Sequence, residues 1–158
     1  MALELTSNEV ELLNAYQCLT TQGQKEIKEY LRYQLCKQYR REVMGSIFNN
    51  KLMDNLLRGL VRIIEGRELD VELVTRRIKQ IKELYYSTFQ KVHFKYSEVV
   101  DNLDSNEIVR ETGRHAFENI EQALQSGNED LIRLEVREFY QDYIVLSRNN
   151  DARKIIAV

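Results

Sequence analysis

The chain reads as an all-α protein, a bundle of about five or six amphipathic helices. Three features carry that reading. Proline is absent, glycine occurs only 6 times in 158 residues, and apolar residues recur at three- and four-residue steps along most of the length. A β-sandwich of this size would need many more turn residues. A chain this long buries roughly two-thirds of its unfolded surface in one core, so a single helical domain over 1–158 is expected.

Ser7 can cap a first helix over about 8–19, where Val10, Leu13 and Tyr16 step by three beside Leu12. A helix this short is expected to dock on a longer one. Thr20 or Thr21 can cap a second helix over about 22–48, with Ile27, Leu31, Leu35, Tyr39 and Val43 at four-residue steps and Tyr30 and Met44 widening the stripe. Gly45, Asn49 and Asn50 mark its end. The third segment, 51–65, is apolar on most sides (Leu52, Met53, Leu56, Leu57, Leu60, Val61, Ile63, Ile64), which implies burial between neighbouring helices or at a subunit interface. Gly66 suits its C-terminal end, and Asp70 can cap the next helix.

The fourth helix has the clearest period. From Val71 the apolar positions run Val74, Ile78, Ile81, Tyr85, Phe89, Val92, Tyr96, Val99 and Leu103, about 3.56 residues per step, between a coiled coil and a straight helix. Such a helix over about 71–103 would span about 50 Å, so it either breaks near 93–97 or projects toward a partner. The long, projecting helix is the expectation. Asp104 or Ser105 can start a fifth helix to about 125, with Val109, Thr112, Ala116, Ile120 and Ala123 as a small-residue seam. Gly127 and Asn128 turn it into a sixth helix carrying Ile132, Val136, Phe139, Tyr143 and Leu146, which makes a C-terminal αα-hairpin. The tail with Ile155, Ile156 and Val158 is apolar enough to dock, although chain ends are often loose. No repeat of the 34-residue type is visible.

Composition limits the function classes. The apolar fraction of 43% and charged fraction of 30% are globular values, too apolar for disorder and too charged for a membrane bundle. The longest apolar run is interrupted by Arg58 and Arg62, so no membrane span is expected. Residues 1–6 do not read as a secretory signal, and a cytoplasmic location is expected. Cys18 and Cys36 are too few for a disulfide framework and read as ordinary reduced thiols. A formal net charge of −2 gives no global attraction for nucleic acid.

No arrangement of residues amounts to a catalytic, metal or nucleotide signature. Glu111, His115 and Glu118 share one helix face, but a carboxylate-bridged metal bundle needs Glu-x-x-His on two helices. There is no nucleophile elbow, and no glycine-rich loop to wrap a phosphate. Neither an enzyme, a cofactor nor a metal is expected. Two basic groups, Lys37, Arg40 and Arg41 on the second helix and Arg76 and Arg77 on the fourth, can meet phosphates, although acidic residues lie within a turn of them. A helix-turn-helix over 8–32 fits poorly, because its second helix is too long for the motif. The 9 tyrosines against 5 phenylalanines suit a core boundary or a partner surface.

The stretch 11–30, ELLNAYQCLTTQGQKEIKEY, resembles the helical tail that comes after the DNA-binding unit of small bacterial phage-repressor-type regulators, in the form E-L-L-x-x-Y-x-x-L-x-x-x-G-Q-x-x-I. The resemblance covers about an eighth of the chain and implies a regulatory or assembly helix. Together these features lead to an expected function: a non-enzymatic bacterial regulatory or adaptor module. It forms a homodimer through Leu56, Leu60 and Ile64 of the third helix and Tyr85, Phe89 and Tyr96 of the fourth, with a protein partner possible. The alternatives are a nucleic-acid-binding regulator using the two basic groups, and a ligand sensor or enzyme with a pocket near His115 and Tyr143.

Overall fold

The computed structural model describes residues 4–101, 103 and 107–156, with Glu107 and 150–156 described in backbone only. Among the described residues the regular elements are six α-helices: α1 Ser7–Cys18, α2 Thr21–Phe48, α3 Lys51–Glu65, α4 Val71–Ser97, α5 Glu107–Ser126 and α6 Glu129–Ile156. The expected all-α fold is present.

Side-chain caps set where the helices begin. Thr6, not Ser7, starts α1 through a capping box: its hydroxyl accepts from the Glu9 amide at 3.3 Å and Glu9 accepts from the Thr6 amide at 2.6 Å. Those bonds favour the ionised carboxyl and hold Glu9 below its ordinary pKa. Thr20 caps α2, Asn50 caps α3, Asp70 caps α4, and Asn128 accepts from the Leu131 amide at the start of α6. The expected caps of the fifth helix, Asp104 and Ser105, lie outside the described residues. Gly127 has φ 68°, the left-handed conformation that a side chain disfavours, and this makes the tight turn of the αα-hairpin.

Two helix ends differ from expectation. α4 stops at Ser97 rather than running to 103. The amides of Val99 and Val100 both bond the Tyr96 carbonyl, at 3.0 and 2.9 Å, so the chain turns there. That turn carries Val100 into the core and leaves Val99 exposed, whereas the apolar period places Val99 inside. α4 is therefore not one uniquely long helix; α2 and α6 are each 28 residues to its 27. At the other end α6 runs on through Asn149 and Asn150 to Ile156, and Val158 lies outside the described residues.

α4 and α6 form the middle of the bundle, each packing against α2, α3 and α5. α3 thus lies between α4 and α6, which is why it is apolar on most sides: Met53, Leu57, Leu60 and Ile64 are buried and Leu56 and Ile63 half-buried. Arg133 of α6 closes the end of α3, donating to the carbonyls of Ile64 at 3.0 Å and Gly66 at 3.2 Å. Through the centre runs an aromatic chain, Phe139–Phe117–Tyr85–Phe48–Tyr143, with ring centroids 5.2 to 6.4 Å apart. Tyr85 donates a short hydrogen bond to the Val109 carbonyl, and its ring lies so close to α5 that a Cβ on Gly113 would sit 2.5 Å from it. Burial pushes the Tyr85 and Tyr143 hydroxyls well above the ordinary phenol pKa. The inward side of α5 therefore includes Gly113 and Phe117 beside the expected Val109, Ile120 and Ala123. No helix among the described residues is long and apolar enough to cross a membrane.

Candidate functional site

The core takes only the second half of α2. Its buried residues are Tyr39, Val43, Ile47 and Phe48, and α1 buries none. Residues 5–33 therefore stand outside the bundle as a helical arm. The expected docking of α1 on a longer helix is not found. Leu19 and Thr20 between the two helices are both extended (φ −72°, ψ 150° and φ −62°, ψ 163°), and one hydrogen bond across the link, from Gln24 to the Tyr16 carbonyl at 3.1 Å, ties them.

The arm is apolar where it meets water. Of the exposed large apolar side chains in the described chain, Leu5, Val10, Leu12, Leu13, Leu19, Ile27, Tyr30, Leu31 and Tyr33 all belong to it, with Leu12 exposed by 68% and Tyr33 by 61%. Ile27 and Leu31 are one turn apart, with Tyr30 beside them, so they form one stripe on α2. The sequence pattern predicts that the stripe burying Tyr39 and Val43 continues through these residues into the core. Every side chain from Lys25 to Tyr33 is exposed, however, whichever face of α2 it occupies, so this length of the helix has no neighbour in the bundle.

Charge is divided between the two helices. Residues 4–18 hold Glu4, Glu9 and Glu11 and no basic residue, a formal −3. Within the arm, residues 20–33 hold Lys25, Lys28 and Arg32 against Glu26 and Glu29, a formal +1, and Lys37, Arg40 and Arg41 follow where α2 enters the bundle. Lys25, Lys28 and Arg32 are spaced by three and four, which places them along one edge of the Leu31 side.

Where the arm enters the bundle, a polar cluster fixes α2 to the end of α4. Gln38 donates to the Tyr96 hydroxyl at 3.0 Å, Tyr96 donates a short hydrogen bond to Glu42, and Lys95 reaches Glu42 at 3.0 Å. The Tyr96 hydroxyl first, and then the Lys95 ammonium, hold the Glu42 carboxyl below its ordinary pKa. The buried Tyr39 hydroxyl meets His93 Nδ1 at 3.1 Å, and His93 stacks on Phe89 with centroids 5.8 Å apart. The arm is thus carried on a firmly held base.

The residues singled out in the sequence are distributed differently. Leu60, Ile64, Tyr85 and Tyr96 are buried within this chain, and Leu56 and Phe89 are half-buried against the same core. α3 and α4 find neighbours for these residues in their own bundle. Lys37, Arg40 and Arg41 sit near the His93 end of α4, and Arg76 and Arg77 near its start, about 25 Å away along the helix. The structure does not bring the two basic groups together. His115 lines an open cleft of about 300 Å³ between α5 and α6 with Glu111, Glu135, Glu138 and Asp142. Tyr143 does not line it; its hydroxyl donates to the Ile47 carbonyl at 3.2 Å inside the core. His115 contacts Asn119 at 2.8 Å, and Glu111 pairs with Arg114 at 2.6 Å, so the Glu–His–Glu face is a solvated helix surface. Among the described residues no group of three or more His, Cys, Asp or Glu is placed to hold a metal. Cys18 is exposed and Cys36 half-buried. The signal in the sequence that points to the arm is Leu12, Leu13, Tyr30 and Leu31 lying together on two adjacent helices; periodicity alone does not show that such a face lacks a neighbour.

Fold and surface together define an all-helical bundle with a projecting apolar arm. Compared with protein-family models, curated proteins and solved structures, the chain matches none.

Proposed function

We propose that this protein is a non-enzymatic interaction module, a regulatory or adaptor unit in which the bundle of α2 to α6 is the platform and the arm of residues 5–33 is the docking element. One observation carries this reading: the exposed large apolar residues concentrate on an arm that contributes no buried residue to the core. An exposed apolar face of this extent marks a binding site in a folded protein. A 12-residue helix such as α1 is marginal alone in water and gains order when its apolar side is covered. Helix-in-groove and helix-on-helix recognition both use anchors one turn apart, as Ile27 and Leu31 are.

Hydrogen exchange on the full chain at high dilution tests this. Arm amides are expected to exchange much faster than those of α3, α4 and α6. Protection of the arm equal to that of the bundle at every dilution would mean that it docks on its own chain, and the interaction reading would fail.

A further inference from the structure

Resting on that reading of the arm, we propose that its occupant is the arm of a second copy of this chain: acidic α1 of each protomer lies against basic α2 of the other, and the four helices form a small bundle about a two-fold axis.

Two observations select a second copy over an unrelated partner. The first is charge. α1 is purely acidic among its charged residues, and the arm part of α2 carries Lys25, Lys28 and Arg32 along one edge against Glu26 and Glu29, so a partner surface of one sign would be repelled by α1 or by that edge. Another copy of the same arm offers the opposite sign to both, twice over, as a two-fold interface requires. The second is area. At the exposures found for the nine arm residues, roughly 800 Å² per chain is available, which is what a standard interface buries on each partner. Two pairs of helices that leave their apolar sides uncovered can close into a four-helix bundle, whose core positions are then filled from all four helices. α1 and α2 of one chain do not cover this surface between themselves, because α1 buries none of its residues.

Within this arrangement Leu12, Leu13, Ile27 and Leu31 are the buried anchors. Glu4 and Glu11 of one copy lie toward Lys25, Lys28 and Arg32 of the other. The charges set which helix meets which, and the apolar residues supply most of the affinity.

Sedimentation equilibrium of the full chain, from about 1 nM with a fluorescent label to about 100 µM, brackets the affinities that an interface of this size shows. The expected result is a reversible monomer–dimer equilibrium. A Leu12→Glu, Leu31→Glu double variant is expected to stay monomeric over the same range while its helix content and dilute unfolding midpoint match the parent, since neither residue belongs to the core. The pairing is tested with two charge variants at low salt, one carrying Glu4→Lys and Glu11→Lys, the other Lys25→Glu, Lys28→Glu and Arg32→Glu. Each alone is expected to dimerise at least about tenfold more weakly, and an equimolar mixture to recover as a heterodimer, because every contact between the two variants is again opposite in sign. Pairing of α1 with its own α2 gives no recovery on mixing, and that result overturns the proposal. So does a parent chain that is monomeric at every concentration; if its arm amides still exchange fast, the interaction reading stands and the partner is a different protein.

Discussion

The bundle and the arm are both helical, yet their apolar residues have different fates. α3 and the first half of α2 are both amphipathic, yet α3 has α4 and α6 on its two sides and buries Met53, Leu57, Leu60 and Ile64, while Ile27, Tyr30 and Leu31 of α2 face water. α3 is richer in aliphatic residues, and it also has the neighbours that the first half of α2 lacks. The bundle covers most of its apolar surface with its own helices, and on the proposed function the arm offers its apolar surface for association.

If that division holds, substitutions in the two regions differ in kind, and the largest losses come from the bundle. Phe117 is fully buried and touches Tyr85, Tyr86 and Phe139. Phe117→Ala is expected to destabilise the bundle by about 3 to 5 kcal/mol, through lost burial and the cavity left behind. Chemical denaturation followed by circular dichroism checks it. A loss under about 1 kcal/mol would mean that the aromatic chain is not the centre of the fold.

Gly113 is next in size. A methyl group there would sit 2.5 Å from the Tyr85 ring, which the Val109 carbonyl holds in place. Overpacking costs about 1 to 3 kcal/mol, and better helix propensity returns up to about 1 kcal/mol. Gly113→Ala is therefore expected to be net destabilising. In a Tyr85→Leu background the ring is gone, and the same substitution is expected to become neutral or stabilising. Additivity of the two changes in a double-mutant cycle would show that the ring and the glycine are not coupled.

Tyr143 gives a smaller effect with a distinct pH dependence. Tyr143→Phe removes a donor to the Ile47 carbonyl and is expected to cost about 1 kcal/mol. Burial first, then the charge of Asp54, raises this hydroxyl above its ordinary pKa of 10. A group raised in the folded state stabilises the fold fully below its unfolded pKa, and that contribution is lost as pH rises beyond it. The parent is thus expected to lose stability more steeply than Tyr143→Phe above pH 10. Glu42 works in the opposite direction: the Tyr96 hydroxyl and Lys95 depress its pKa, so its contribution is present above 4.5 and lost as pH falls through the folded value. Glu42→Gln is expected to flatten the acid limb slightly, since the ion pair is open to solvent.

Local punctuation decides how much of this fold is legible in the sequence. Lys51–Glu65 has the bounds the sequence predicts, because an asparagine precedes it and Gly66 ends it, and the α5–α6 turn is visible for the same reason at Gly127 and Asn128. The end of α4 is hidden: no glycine or proline marks Ser97, and Val99 and Leu103 keep the apolar period going past the turn. Gly113 and Phe117 escape notice as a pair because a helical glycine has no periodic signal, and its role appears only once Tyr85 arrives from α4. Leu60, Ile64, Tyr85 and Tyr96 mark where periodicity stops informing function. A wide apolar face has the same pattern whether its neighbour comes from the same chain or another, so the pattern points to α3 and α4, while most of the exposed large apolar residues among the described ones lie in the arm.

The smallest expected effect separates the two regions most directly. Leu12→Ala truncates a large apolar side chain as surely as a core substitution does, yet Leu12 is mostly exposed. In dilute protein it is therefore expected to change bundle stability by no more than about 0.5 kcal/mol. At concentrations where arms associate, binding adds to the stability of the parent in proportion to the logarithm of partner concentration over Kd, and a variant with a weaker arm gains less. The unfolding midpoint of the parent should then rise with protein concentration while that of Leu12→Ala rises later or not at all. Core variants such as Gly113→Ala should keep the parent's concentration dependence at a lower midpoint. Parallel curves for Leu12→Ala and the parent would show that the arm's leucines carry no association energy, which would remove the distinction between arm and bundle.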